Sequence, residues 1–178
     1  MFNLENAKKL IKLGYLINTG TAGLQFLIVL LNSFDVIEYT VLALFSGFAS
    51  LLALAGSAAV FGGFVLAWYF DRNIFNLAIP GVYVLNFCIG FVLGFANMLT
   101  VLSIIITIVA LSEYAVWAFM IKDKNRLFAM GLMAVCGFGF VMAMLGNSSG
   151  GGDVITIFNS LASCAGMGLC FLSSLQMD

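Results

Sequence analysis

The segment LAIPGVYVLNFCIGFVLGFANMLTVLSIIITIVALSEYAVWAFMI, from Leu77 to Ile121, decides the fold of this chain. It contains one residue that is charged at neutral pH, Glu113. As a single helix it would be roughly 68 Å long, about twice the ~30 Å thickness of a hydrocarbon core. The segment therefore cannot cross a bilayer only once, and we predict a helical hairpin that turns near residues 95–98.

The whole chain has the composition of a polytopic membrane protein. Of its 178 residues, 63% are hydrophobic and 8% are charged, whereas soluble domains are about 25% charged. We predict an all-α bundle of six transmembrane helices, arranged as three hairpins in a single domain over residues 1–178, with five helices as the alternative. The predicted spans are residues 13–31, 40–70, 77–96, 100–121, 127–146 and 154–175.

The distribution of charged residues predicts the orientation. With six spans, all seven basic residues fall on one side of the membrane, and the other side receives Asp35, Glu38 and Asp153. The positive-inside rule then puts both termini on the cytoplasmic side, and Trp68 and Trp117 lie near that interface. Five spans would divide the basic residues four against three. The basic residues are Lys8, Lys9, Lys12, Arg72, Lys122, Lys124 and Arg126.

Glu113 is the strongest candidate for a functional residue. It precedes Lys122 by nine residues, which is about 13.5 Å of helix at ~1.5 Å per residue. An ionised carboxylate at that depth costs about 2–3 kcal/mol or more unless it is paired, protonated or hydrated. One interpretation of Glu113 is a proton or cation site or an anchor for a partner's basic side chain. The alternative is a carboxyl group that reaches the interface or is hydrogen-bonded to a neighbouring helix.

Other polar residues lie inside the predicted spans. Together with Glu113, the side chains of Asn18, Gln25, Asn86 and Asn159 could line a polar path, as in a small carrier or channel. Polar side chains in a bilayer turn toward neighbouring helices. Helix packing without a path is therefore the alternative.

Small residues recur at intervals of four in three of the predicted spans, which allows close helix packing. They are Ala55, Ala59, Gly63, Gly90, Gly94, Ala162 and Gly166. Such a face can pack inside the bundle or against another chain. By contrast, the span 100–121 contains no glycine and many β-branched residues, so we expect it to be the most lipid-exposed helix.

The sequence contains no catalytic motif. There is no histidine, the usual general base and the commonest metal ligand. The four cysteines form no C-x-x-C pair and are expected to pack as small apolar residues. We predict no cofactor, no metal and no nucleic-acid partner, although the apolar surfaces leave room for a bound lipid or another apolar ligand.

We therefore expect an integral membrane protein that is not an enzyme and that acts by lateral helix packing. It would be an accessory subunit of a larger membrane complex, in contact with other membrane chains, or a homo-oligomer. The alternative is a small carrier or channel with a polar path that includes Glu113. Two observations distinguish these functions: whether the five polar side chains converge on one cavity, and whether Gly90 and Gly94 face the interior of the bundle.

Overall fold

A computed structural model describes residues 3–36, 38–95, 99–149 and 153–176 of the chain. Within these ranges it contains six α-helices, one short 3-10 helix over Ile74–Leu77 and no strand. Each α-helix is long and apolar enough to cross a membrane. The α-helices are α1 (Leu4–Ser33), α2 (Tyr39–Asp71), α3 (Ala78–Phe95), α4 (Leu99–Ile121), α5 (Arg126–Ser149) and α6 (Asp153–Ser174).

The all-helical class and the number of helices are thus confirmed for the described part of the chain. Consecutive helices pack against one another, and α1 also packs against α6. The turn that we predicted near residues 95–98 falls largely on residues 96–98, which lie outside the described residues.

Local sequence signals set several helix ends. The Asn3 side chain accepts a hydrogen bond from the Asn6 backbone N–H at 2.8 Å, and this N-cap lets α1 begin well before the predicted span. At the end of α2, Arg72 adopts a left-handed conformation with φ 54°, which ends the helix. Pro80 lies in the first turn of α3, where its missing N–H is least costly.

The two ends of the bundle differ in charge. At one end Lys12 Nζ donates to the Leu175 carbonyl at 3.5 Å, and the Asn125 side-chain amide donates to Gln176 Oε1 at 2.7 Å. These contacts bring together the start of α1, the 122–125 loop and the end of α6, and we call this the basic end. The opposite end, near Asp153, is the acidic end.

All six helices contribute to a core that lies near the basic end. Its largest fully buried side chains include Trp117, Tyr15, Phe64, Ile11 and Ile79. Residues from α5 and α6 complete the same cluster. The core therefore occupies one half of the bundle rather than its whole length.

Our expectation that the span 100–121 is the most lipid-exposed helix is wrong. The C-terminal half of α4 supplies Glu113, Tyr114, Trp117, Ala118 and Ile121 to the buried interior. Trp117, which we expected at the interface, is 1% exposed. The error arises because β-branched residues in the first half of the helix suggest a lipid-facing surface, whereas the second half decides how the helix packs.

Candidate functional site

Glu113 lies in the middle of the bundle and is 4% exposed. Its Oε1 atom accepts a hydrogen bond of 2.8 Å from the Tyr83 hydroxyl of α3. The Tyr15 hydroxyl of α1 faces the same carboxyl group, but it makes no hydrogen bond of good geometry to any residue described. Within the described ranges, Glu113 forms no ion pair with Lys or Arg. The carboxyl group is therefore held by the hydroxyl group of Tyr83.

The structure brings Glu113 together with three of the four other predicted polar residues. Asn18 and Gln25 of α1, Asn159 of α6 and Glu113 line one cavity of about 320 Å³. Asn86 of α3 is not among the described residues that line it. The wall also includes hydroxyl groups from four helices, namely those of Thr21, Ser57, Thr107 and Ser163.

Asn18 is the most unusual residue of this cavity. Its side chain is 4% exposed, and neither its amide nitrogen nor its amide oxygen has a hydrogen-bond partner in the described part of the chain. A buried polar group without a partner costs about 1–3 kcal/mol. Such an amide, placed against a cavity that also contains a carboxylate, is available to a ligand.

Two further cavities connect this site with the acidic end. The first, of about 320 Å³, shares Ala22, Gln25, Asn159 and Ser163 with the Glu113 cavity. The second, of about 360 Å³, continues the wall and reaches Asp153. We call the three cavities together the polar groove. Its outer part is lined mainly by α1, α2 and α6, through residues that include Asn32, Ser33, Ser46, Thr156 and Ser160.

A tightly packed aromatic cluster lies next to Glu113, on the side of the basic end. The ring centroids of Tyr15 and Trp117 are 5.4 Å apart, and those of Phe64 and Trp117 are also 5.4 Å apart with the rings nearly perpendicular. Trp117 Nε1 donates to Ser173 Oγ at 2.6 Å. We call Tyr15, Phe64 and Trp117 the aromatic plug. It separates Glu113 from the basic end.

The small residues predicted in α2 lie on different faces of that helix. Gly63 is buried, and a Cβ built on it would lie 2.6 Å from a side chain of α1. Ala59 is half-buried and Ala55 is exposed. A further close approach of α1 and α2 uses Gly14 and Gly56, a pair that the every-fourth-residue pattern did not reveal because it spans two helices.

The small residues predicted in α3 and α6 face neighbouring helices where their surroundings are described. A Cβ on Gly90 would lie 3.8 Å from a side chain of α4, and one on Gly166 would lie 2.6 Å from the Tyr114 ring. Ala162 is buried. The surroundings of Gly94 lie outside the described side chains.

Sequence reasoning missed the tyrosines of the site. Tyr83 is 30 residues from Glu113 along the chain, so no local pattern links them. A signal did exist, because a tyrosine inside an apolar span needs a partner for its hydroxyl. Glu113 is the most polar group available to it in the adjoining helix.

The arrangement is suited to binding. Within the described ranges no group of three or more His, Cys, Asp or Glu residues could hold a metal ion. The side chains around Glu113 are amides and hydroxyl groups, which can solvate a cation or relay a proton. Comparisons with protein-family models, with curated proteins and with solved structures find no match to this chain.

Proposed function

We propose that this protein is a small membrane carrier that moves a proton or a small cation along the polar groove to Glu113. The observation that supports this function best is the convergence of Asn18, Gln25 and Asn159 with Glu113 on one cavity. Side chains that only pack helices together have no need to meet at a cavity.

A cationic substrate agrees with the charges of the site. The carboxyl group of Glu113 has no basic partner among the described residues, and an ionised carboxylate inside a bilayer is costly unless a cation or a proton neutralises it. Asp153 lies at the entrance of the groove. Because negative charge at a cleft raises the local concentration of cations, this residue would favour their entry.

A carrier is a better proposal than an open channel because the aromatic plug is closely packed in this structure. The polar groove begins at the acidic end, and the aromatic plug separates Glu113 from the basic end. Transport would require a second arrangement in which α1 or α4 moves and the plug opens. We assign no enzymatic reaction to the site.

The proposed carrier crosses the membrane six times, as three hairpins, with both termini in the cytoplasm. The orientation follows from the positive-inside rule applied to the seven basic residues. Contacts of Lys12 with Leu175 and of Asn125 with Gln176 at the basic end are consistent with it. The polar groove would then open to the opposite side of the membrane.

Flux measurements on reconstituted protein test this proposal. Liposomes with an internal pH-sensitive dye report proton flux, and dyes selective for Na⁺ or K⁺ report cation flux. We expect Glu113→Gln to abolish the flux of the wild-type protein, because the amide keeps the size of the side chain but cannot bind a proton or neutralise a cation. Glu38→Gln removes a carboxylate outside the cavity and is the matched control.

Two results would contradict the carrier. One is wild-type protein that passes none of these ions above the rate of empty liposomes. The other is a Glu113→Gln variant that keeps the wild-type rate. A loss of flux in Glu38→Gln equal to that in Glu113→Gln would also refute a specific role for the buried carboxyl group.

A second candidate is the accessory subunit that acts by lateral packing, favoured by small residues on the outer face of α2. A Cβ built on Gly47 would meet no heavy atom within 4 Å in the described part of the chain, and Ala55 is exposed. Another helix could approach closely there. The native mass of the gently extracted protein distinguishes the accessory subunit from the carrier. A fixed assembly with different chains favours the subunit, and a monomer or small homo-oligomer argues against it.

A further inference from the structure

A separate cavity of about 610 Å³ lies between α4 and α5 near the basic end. It shares no lining residue with the polar groove. Alanines form its inner wall, which leaves space between the two helices. Its lining residues are Ala115, Ala118, Phe119, Lys122, Arg126, Ala129, Met130 and Met133.

The charged residues of this cavity lie at one end of it. Lys122 follows the last residue of α4, and Arg126 begins α5. Lys122 Nζ lies 4.0 Å from the centroid of the Phe119 ring, a cation–π contact that holds the ammonium group at the mouth. No acidic side chain lines the cavity among the described residues. Asp123 lies in the adjoining loop and is exposed.

The rest of the wall is apolar and accessible. Met130 is 63% exposed and Met133 is 55% exposed. Methionine side chains adapt their shape to a neighbouring apolar group. The cavity thus combines two cations at the membrane surface with an apolar trough that extends between the helices.

We propose that this cavity binds an anionic phospholipid, with the phosphate between Lys122 and Arg126 and one acyl chain along the alanines and methionines. An arginine guanidinium can bind phosphate oxygens in a bidentate manner, and a lysine ammonium adds a point charge. Basic pockets between transmembrane helices on the cytoplasmic side are suited to anionic head groups. A zwitterionic phospholipid leaves these two charges less well neutralised.

Thermal unfolding of the full-length protein in a mild detergent tests the site, with added phosphatidylglycerol compared with phosphatidylcholine of the same acyl chains. We expect phosphatidylglycerol to raise the Tm of the wild-type protein more than phosphatidylcholine does. In the double variant Lys122→Gln/Arg126→Gln, that difference should disappear. The double variant Lys8→Gln/Lys124→Gln loses the same charge outside the cavity and should keep the difference.

Native mass spectrometry of the same samples gives a second readout, since it counts retained lipids directly. Ala115→Leu narrows the trough without changing any charge, and we expect it to reduce retention of phosphatidylglycerol. Equal Tm shifts with the two lipids in wild type would overturn the proposal, as would an unchanged shift in Lys122→Gln/Arg126→Gln. Equal stabilisation by soluble glycerol phosphate would identify a phosphate site instead of a lipid site.

Discussion

The basic half of the bundle and the acidic half are made from the same helices but are packed in different ways. In the basic half, Tyr15, Phe64 and Trp117 are almost fully excluded from solvent. In the acidic half, cavities and polar side chains lie between α1, α2 and α6. From this difference we expect the basic half to supply most of the stability, whereas the acidic half is less closely packed around its polar cavities.

The change from one half to the other occurs within single helices. Along one face of α1, the buried residues Ala7, Ile11 and Tyr15 are followed by Asn18 and Thr21. Glu113 lies at the same boundary on α4. Each helix therefore contributes to both halves, and substitutions on opposite sides of the boundary should have different effects.

The largest expected effect comes from Trp117→Ala in the aromatic plug. We expect the free energy of unfolding to fall by about 3–5 kcal/mol, because the substitution removes a large buried ring and leaves a cavity. The Ser173 hydroxyl also loses the hydrogen bond from Trp117. Denaturant titration of the protein in micelles measures the change.

The control for this substitution is Phe87→Ala. Phe87 is 75% exposed in the bundle, so its removal should change stability little. Equal losses for Trp117→Ala and Phe87→Ala would contradict the concentration of stability in the basic half.

A smaller effect is expected from Gly14→Ala at the contact between α1 and α2. A Cβ on Gly14 would lie 2.7 Å from the Gly56 carbonyl oxygen and 2.7 Å from the Val60 backbone nitrogen. The helices must separate, and we expect a loss of about 1–3 kcal/mol. Thermal unfolding in detergent measures it.

Gly20 provides a matched control on the same helix, since a Cβ there meets no atom within 4 Å in the described part of the structure. Gly20→Ala should be neutral or stabilise the helix by about 0.5–1 kcal/mol. A larger loss for Gly20→Ala than for Gly14→Ala would show that α1 and α2 do not pack as described.

The smallest expected losses of stability come from removing the hydroxyl groups of Tyr83 and Tyr15, the two tyrosines next to Glu113. Tyr83→Phe removes the hydrogen bond to the buried carboxyl group, and we expect a loss of about 1–2 kcal/mol. Tyr15→Phe should cost less than about 0.5 kcal/mol, because that hydroxyl makes no hydrogen bond of good geometry to any residue described. Urea or guanidinium titration of both variants in the same detergent makes the comparison. Equal losses would mean that both hydroxyl groups donate hydrogen bonds of similar strength to the Glu113 carboxyl group.

The helices were predictable from the sequence because a bilayer restricts the choices of the backbone. Inside hydrocarbon every backbone N–H and C=O must be satisfied within the protein, so apolar runs become helices. The length of the segment 77–121 required a turn, and the charged residues at 71–72 and 122–126 separated the neighbouring helices.

The packing of those helices was less predictable. Hydropathy indicates that a side chain avoids water, but lipid and the protein interior are almost equally apolar. Hydropathy therefore did not distinguish buried Trp117 from exposed Phe87. Glu113 and the polar residues of α1 and α6 were identified because polar groups inside a bilayer are costly. Tyr83 and the contact of Gly14 with Gly56 depend on how helices meet, which no pattern within one helix reveals.

The position of the aromatic plug between Glu113 and the basic end has an electrical consequence. In the proposed carrier, water in the polar groove would bring the electrical potential of the acidic side close to Glu113. The transmembrane voltage would then fall mainly across the aromatic plug. Moving one elementary charge through that voltage changes its energy by ~2.3 kcal/mol per 100 mV. The plug would act as the insulator of the protein, so that the step in which a cation or proton leaves Glu113 and crosses the plug, rather than binding at Glu113, would depend on voltage.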